Sequence, residues 1–145
     1  MRRETGALLE KAARAILGGK ILLRRGDADF AAGLVYFATF HTTRALLIER
    51  GLRADGPGAV QRAFGEHFVK TGEFDPSFHQ QLLDAHDQWI AADDYRVETR
   101  LAVGDVRKTI AQAQAFLLET RRYLTLHRHG GQENTGIRRR TSAPQ

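Results

Sequence analysis

The sequence predicts an all-α protein, a five-helix up-and-down bundle, on the strength of three observations. Apolar residues recur every three or four positions through five separate segments, which is the spacing of an amphipathic helix. Glycine, proline and capping residues are concentrated between those segments, where helices would end and begin. No stretch alternates apolar and polar residues as a β-strand does, and no internal repeat is present. A chain of 145 residues can form one hydrophobic core.

Two long helices are predicted first, joined as a hairpin. The segment from Glu4 to Arg25 carries the first amphipathic pattern, although Gly18 and Gly19 each cost about 1 kcal/mol in a helix interior and point to a bend or close packing. Gly26-Asp27 then supplies a stop glycine and a helix N-cap. From Phe30 to Arg50 the chain is apolar nearly all round, which predicts the most buried helix of the bundle, and Gly51 is predicted to end it.

Three further helices follow after loops that contain glycine and proline. A shorter helix runs from Val60 to Val69 and stops at Gly72. Asp75-Pro76 opens the fourth helix with an N-cap followed by proline at the first helical position. The last helix begins near Gly104-Asp105 and is expected to end at the glycine pair Gly130-Gly131.

The distribution of charge divides the chain into a body and a tail. Residues 127–145 hold four arginines against one glutamate, a net charge of +3, while the formal net charge of the whole chain is +5. We therefore predict a helical domain over residues 1–126 and a basic, flexible tail over residues 127–145. Such a tail is either simply solvated or touches RNA phosphates electrostatically.

Composition also excludes several classes of protein. The chain contains no cysteine, so it has no disulfide, zinc–thiolate site, iron–sulfur cluster or cysteine nucleophile, and this fits a cytoplasmic protein. No uninterrupted apolar stretch suits export or membrane insertion, so neither is expected. His79 and His86 lie seven residues apart on one predicted helix, too far to share a metal ion without further ligands. We expect neither a metal nor a cofactor.

Three strings of residues, in order along the chain, resemble one protein family. They are Gly26-Asp27 with Tyr36-Phe37-Ala38-x-Phe40-His41-x-x-Arg44-Ala45-Leu46-Leu47, then Phe64-Gly65-Glu66-His67-Phe68-Val69-Lys70-Thr71-Gly72, and finally Ala92-Asp93-Asp94-Tyr95. Together they resemble HEPN-domain proteins, and specifically the UPF0332-type group. The likeness extends from Leu8 to Leu118 and predicts a helical bundle of HEPN type.

The resemblance implies a bundle that is often a homodimer and that commonly pairs with a minimal nucleotidyltransferase, in a toxin–antitoxin-like or substrate-binding role. Some relatives cleave RNA without a metal ion, through an arginine and a histidine four to six residues apart just before a tyrosine. Arginine binds phosphate bidentately and histidine titrates near neutral pH. From Gln88 to Tyr95 this chain has neither residue, so the usual catalytic pair does not carry over.

Arg62 and His67 remain as weak candidates for a catalytic pair. Five residues of α-helix turn the chain by about 500°, which leaves the two side chains about 140° apart. They could not bind one phosphate within a subunit, although a dimer could bring them together. The alternative is a surface arginine beside a partly buried histidine, and no residue is assigned as catalytic.

A ligand- or partner-binding site is predicted on the second and fourth helices. His41 and Arg44 are three residues apart and share a helix face, a cationic pair suited to a nucleotide phosphate or an acidic partner residue. Asp93, Asp94 and Tyr95 end the fourth helix, where carboxylates face the negative pole of the helix dipole and need a nearby cation. The alternatives are a buried, hydrogen-bonded His41 and an ion pair from Arg44 to Asp93 or Asp94.

Three functions remain open on the sequence. The first is a non-catalytic binding module that dimerises and acts with a nucleotidyltransferase-type partner. The second is a metal-independent endoribonuclease toxin whose residues meet across a dimer interface. The third is a basic accessory that binds nucleotide or RNA, with an affinity that falls steeply as salt rises.

Overall fold

The structure, a computed structural model, describes the backbone of residues 1–94 and 100–142 and the side chains of residues 1–94 and 100–127. Over these ranges it contains no strand and five α-helices: α1 (Arg3–Arg24), α2 (Ala28–Glu49), α3 (Pro57–Phe64), α4 (Pro76–Asp93) and α5 (Val103–Ser142). A π-helical turn, Gly65–Val69, continues α3 directly. The predicted all-α class and helical bundle are confirmed.

Helices α1 and α2 end at the glycines that the sequence marks as stops. Gly26 and Gly51 have φ values of 83° and 79°, a left-handed conformation that only glycine adopts readily. In each case the next residue turns back on the helix, because Asp27 N–H donates to the Leu22 carbonyl and Leu52 N–H to the Leu47 carbonyl. This Schellman arrangement satisfies carbonyls that a helix end leaves without partners.

The predicted N-caps also form. The Asp27 carboxylate accepts a hydrogen bond from the Phe30 N–H at 3.3 Å, and that of Asp75 accepts one from the Ser77 N–H at 2.8 Å. Pro76 occupies the first position of α4, where its missing N–H costs nothing. These local signals fix where α2 and α4 begin.

Helix α2 lies at the centre of the bundle and packs against every other α-helix. It forms an antiparallel hairpin with α1, and a Cβ added at Gly19 would lie only 2.9 Å from the Val35 Cγ2. The glycines of α1 therefore mark close packing in an unbroken helix and not a bend. In the described part of the chain the backbones of α1 and α4 do not come close to each other, because the two helices flank α2 on different sides.

Aromatic side chains fill the core between α3, α4 and α5. Phe64 is fully buried, and its ring centroid lies 5.5 Å from that of Phe116, 5.7 Å from that of Phe74 and 5.9 Å from that of Phe68. The pairs with Phe116 and Phe74 are edge-to-face, and such pairs add to the free energy gained by burying the rings. This cluster anchors the short α3 and the turn after it to the long helices.

Helix α5 differs from the expectation at its C-terminal end. It continues through Gly130 and Gly131 to Ser142, so the end predicted at these glycines is wrong. A division at residue 127 into a domain and a tail stays a prediction, since no side chain beyond His127 is described. None of the described helices is both long and apolar enough to cross a membrane.

Candidate functional site on the exposed face of α2

One stripe of α2 stays uncovered between α1 and α4. Phe30, Leu34, Phe37, His41 and Arg44 follow each other at spacings of four and three residues, which places them on one side of the helix. Phe30 is 72% exposed and Phe37 41% exposed. This helix has more buried residues than α1, α3 or α4, as its apolar sequence predicts, but it is open to solvent along this stripe, which we call the α2 face.

Trp89 of α4 forms one wall of the α2 face. Its ring stacks on that of Tyr36, with centroids 5.0 Å apart, and lies 5.6 Å from the ring of Phe37. A Cβ at Gly33 would come within 3.4 Å of the Trp89 Cδ1, so the glycine makes room for the indole. The result is an aromatic surface, partly open to solvent, at the N-terminal half of α2.

The C-terminal half of the α2 face is cationic. Burial lowers the pKa of His41, and the nearby charges of Lys11 and Arg44 lower that pKa further. The imidazole is therefore neutral near pH 7, and its Nδ1 is buried with no hydrogen-bond partner among the described residues. Lys11 of α1 belongs to this group because α1 and α2 are antiparallel, a placement that sequence spacing does not reveal.

Arg44 makes no ion pair in the described part of the chain; its guanidinium lies 5.9 Å from the centre of the Phe40 ring. The alternative of an ion pair with Asp93 or Asp94 is wrong because α4 runs antiparallel to α2. Trp89 lies beside Gly33, so the end of α4 is near the start of α2. Arg44 is eleven residues beyond Gly33, about 16 Å along the axis.

The residues predicted at the end of α4 are thus separated from His41 and Arg44. Asp93 is exposed and Asp94 is half-buried at the C-cap. Tyr95, the third residue of that group, lies outside the described residues. The structure brings together His41 and Arg44, but it does not join them to Asp93 and Asp94 in one site.

Two further buried polar atoms, one on α2 and one on α4, lack hydrogen-bond partners among the described residues. They are the hydroxyl of Tyr36 and the Oε1 of Gln88, which neighbours Trp89 on α4. Burial raises the pKa of Tyr36 to about 12, so its hydroxyl stays protonated. Buried polar groups are normally paired, and unpaired ones are often found at functional sites.

Arg62 and His67 do not form a catalytic pair within the molecule. Arg62 is exposed on α3 and makes no hydrogen bond or ion pair in the described part of the chain, while the half-buried His67 lies in the π-helical turn. The His67 imidazole has no hydrogen-bond partner among the described residues. Its carbonyl accepts hydrogen bonds from Arg50 Nη1 at 2.7 Å and Thr71 Oγ1 at 3.2 Å.

Sequence reasoning missed a second cluster, in which Arg50, Glu73 and Tyr123 meet. The guanidinium of Arg50 donates to both carboxylate oxygens of Glu73, at 2.7 and 3.0 Å, and also to the Tyr123 hydroxyl. That hydroxyl in turn donates to Glu73 Oε1 at 2.7 Å. The three residues are far apart along the chain, so no spacing or motif could have indicated their contact.

The pKa values of this cluster show how tightly its charges are held. The hydrogen bond from Arg50 lowers the pKa of Glu73 to about 2, with further hydrogen bonds from Tyr123 and Thr71. Burial, together with the hydrogen bond to Glu73, raises the pKa of Tyr123 to about 12. All three groups stay in one protonation state near neutral pH, which suits a structural tie better than proton transfer.

No group of three potential metal ligands comes together among the described residues. His79 Nε2 lies 3.0 Å from the Gln61 carbonyl, and His86 packs edge-on against the Tyr36 ring. The two histidines therefore serve different local contacts on α4.

Comparison with known proteins places this helical chain beside proteins named as toxins. No family model matches it. It is 25% identical over 123 residues to "Putative toxin MJ0142" of Methanocaldococcus jannaschii, covering 85% of this chain and 83% of that protein. It is 26% identical over 118 residues to "Putative toxin MJ0605" of the same organism, covering 81% and 86%. A UPF0332 protein of Thermotoga maritima is 28% identical over 101 residues, 68% and 74% of the two chains.

These likenesses cover most of each chain and agree with the resemblance to the UPF0332-type group.

Proposed function

We propose that this protein is a toxin-type, HEPN-like member of the UPF0332 group that acts by binding, and that a nucleotidyltransferase-type partner protein docks on the α2 face. The observation that carries the proposal is the exposure of Phe30 and Phe37 on an otherwise buried helix. The toxin names of two relatives support the idea of a controlling partner.

The α2 face has the composition of a protein-binding surface. Exposure of several large aromatic side chains to water is unfavourable in free energy, and such side chains commonly serve as anchors in protein interfaces. His41, Lys11 and Arg44 lie at one end of the aromatic stripe, where they can meet carboxylates or a phosphate of the partner. An aromatic centre beside a charged rim is the usual anatomy of a specific interface.

Binding without catalysis fits the placement of the titratable groups. Arg62 and His67 do not meet within the molecule, and the stretch before Tyr95 lacks the arginine and histidine of the ribonuclease motif. Homodimerisation would add a second copy of each residue and is part of this proposal.

Co-expression with a minimal nucleotidyltransferase from the same genome tests the proposal. The double variant Phe30→Ser, Phe37→Ser should lose the co-purifying partner, because it removes the aromatic anchors. Leu118→Ser, Leu126→Ser is the matched control, since both leucines are exposed on α5 away from this face, at 70% and 64%. Equal partner recovery with the two double variants would refute docking on the α2 face.

A metal-independent endoribonuclease is the second candidate, favoured by the toxin names and by His67 in a π-helical turn, a feature frequent at functional sites. The pair Arg62 and His67 would then act across a dimer. This candidate predicts cleavage of total RNA in the presence of a chelator and loss of cleavage in His67→Ala. The binding-module proposal predicts that neither the wild type nor His67→Ala cleaves RNA.

A further inference from the structure

A groove of about 300 Å³ lies between the C-terminal half of α1 and the N-terminal half of α5. Leu23 and Ile110 form an apolar floor, and Lys20, Arg24 and Arg107 form a cationic rim. No carboxylate lines the groove, and none of these three cations has an ion-pair partner among the described residues. Three like charges gathered without a counter-charge favour an anionic occupant.

The side chains that form the floor indicate which kind of anionic molecule the groove binds. It contains aliphatic side chains and no aromatic ring on which a nucleobase could stack. Leu17 and Ile21, which are 57% and 44% exposed on α1, add apolar surface next to the rim. A surface of this type fits an amphipathic helix that presents an aliphatic side chain flanked by carboxylates.

Such a helix is present in this same molecule, outside the groove. The sequence of α4 contains aspartates but neither lysine nor arginine. Asp84, Asp87 and Ile90, which we call the α4 ridge, succeed each other at three-residue intervals and are all exposed. Ile90 is 51% exposed, and no lysine or arginine among the described residues pairs with Asp84 or Asp87.

The net charges of the segments that form the groove and of the segment that forms the ridge have opposite signs. Residues 1–27 hold seven basic residues and three carboxylates, a net charge of +4, and residues 100–127 hold five and two, a net of +3. Residues 55–94 hold two basic residues and eight carboxylates, a net of −6. The two sides that bear the groove and the ridge are therefore oppositely charged.

The spacing of the charges also matches. Lys20 and Arg24 are four residues apart, about 6 Å along α1, and Asp84 and Asp87 are three residues apart, about 4.5 Å along α4. The groove and the ridge do not overlap, because the groove is lined by residues of α1 and α5 and the ridge consists of residues of α4. One molecule can therefore offer both surfaces at once.

We propose that the α1–α5 groove binds the α4 ridge of a second copy of this chain, so that molecules associate head to tail. Ile90 of one copy packs on the floor of the groove, and Asp84 and Asp87 pair with its cationic rim. The contact is heterologous, since different surfaces of the two copies meet, and it leaves a free groove and a free ridge at the ends. It uses surfaces other than the α2 face and does not depend on the proposed partner.

Sedimentation of the purified chain at low salt tests this association. The wild type should show mass that rises with concentration and falls with added salt, because the rim pairs are exposed and screened. The groove variant, Arg24→Glu with Arg107→Glu, and the ridge variant, Asp84→Lys with Asp87→Lys, should each associate at least about tenfold more weakly. Arg62→Glu with Lys70→Glu is the matched control, with the same change of charge outside the groove, and it should associate like the wild type.

Mixing the two variants distinguishes this contact from a symmetric dimer. The groove variant keeps a normal ridge and the ridge variant keeps a normal groove, and the reversed groove and the reversed ridge again carry opposite charges, so the mixture should regain the association that each variant alone has lost. The proposal is wrong if the wild type stays monomeric up to about 1 mM, where an association of roughly 4 kcal/mol would show. It is also wrong if the mixture yields no dimer, or if the control variant weakens association as much as the groove variant.

A nucleic acid in the groove is the competing outcome. The wild type would then stay monomeric and bind a polyuridine strand, and this binding would be lost in the groove variant and kept in the control. That result would show that the groove binds a polyanion and not a second copy of the chain.

Discussion

Glu73 connects three parts of the molecule through its carboxylate: the end of α2 at Arg50, the loop at Thr71 and helix α5 at Tyr123. The Arg50 guanidinium also lies 4.2 Å from the centre of the Phe68 ring, so the ion pair is stacked on the aromatic core. A bidentate arginine–carboxylate pair has well-defined geometry and is worth more than a surface ion pair. At the scale of single residues, this cluster is the strongest electrostatic contact described.

Glu73→Gln should lower the free energy of unfolding by about 1–2 kcal/mol, because it removes the charge that Arg50 and Tyr123 bind. Glu66→Gln is the matched control, since Glu66 is exposed and has no such partners in the described part of the chain. Urea denaturation at pH 7 measures both effects. Equal stability of the two variants would mean that the cluster contributes nothing to folding.

The pH dependence of that difference follows from the lowered pKa of Glu73. Its folded value of about 2 lies below the ordinary 4.5, so the carboxylate stabilises the fold above the ordinary pKa and loses this contribution as pH falls. The stability difference between wild type and Glu73→Gln should be constant above about pH 5 and should shrink as the pH approaches 2. A difference that does not change over this range would contradict the assigned pKa.

At the scale of elements, α2 is the central helix of the bundle and also carries the candidate site on its exposed face. Its side toward α5 is buried, and the stripe with Phe30 and Phe37 stays open. Periodicity alone could not find this stripe, because the whole helix is apolar and its two sides look alike in sequence. The close contact with α1 at Gly19 determines how α1 lies along α2 and which residues of α2 it leaves uncovered.

Two glycine-to-alanine changes should have opposite effects on stability. Gly19→Ala would place a Cβ 2.9 Å from the Val35 side chain and should destabilise the fold by about 1–3 kcal/mol through overpacking. Gly104→Ala, in the first turn of α5, meets nothing within 4 Å and should stabilise it by about 0.5–1 kcal/mol through helix propensity. Thermal and urea denaturation compare them, and a stabilising Gly19→Ala would disprove the close packing of α1 on α2.

At the scale of the whole molecule, the aromatic core and the surface face use the same residue type for different purposes. Phe64 is fully buried among Phe68, Phe74 and Phe116, whereas Phe30 is 72% exposed. The first is a structural requirement, and the second is the exposure on which the proposed partner binding rests.

Phe64→Ala should lower the free energy of unfolding by about 3–5 kcal/mol, because it leaves a cavity where α3, α4 and α5 meet. Phe30→Ala should change it by less than about 0.5 kcal/mol, since the ring contributes little to the core. Equilibrium unfolding in urea followed by circular dichroism measures both. A large loss of stability in Phe30→Ala would show that the α2 face is covered within the folded chain.

The sequence by itself determined the fold class, the helix starts at Asp27 and Asp75, the stops at Gly26 and Gly51, and the shared face of His41 and Arg44. Each of these depends on interactions within a few residues along one helix or turn, which local spacing and residue chemistry report directly. The predicted end of the last helix at Gly130 and Gly131 is wrong, because glycine lowers the stability of a helix but does not have to end it.

Only the tertiary structure decided which residues from different helices meet. The antiparallel run of α4 along α2 places Trp89 beside Tyr36 and keeps Asp93 away from Arg44. The meeting of Arg50, Glu73 and Tyr123, and the groove between α1 and α5, likewise depend on how the helices lie against each other. Those contacts join residues distant in the chain, and helix packing, which no local pattern encodes, sets their distances.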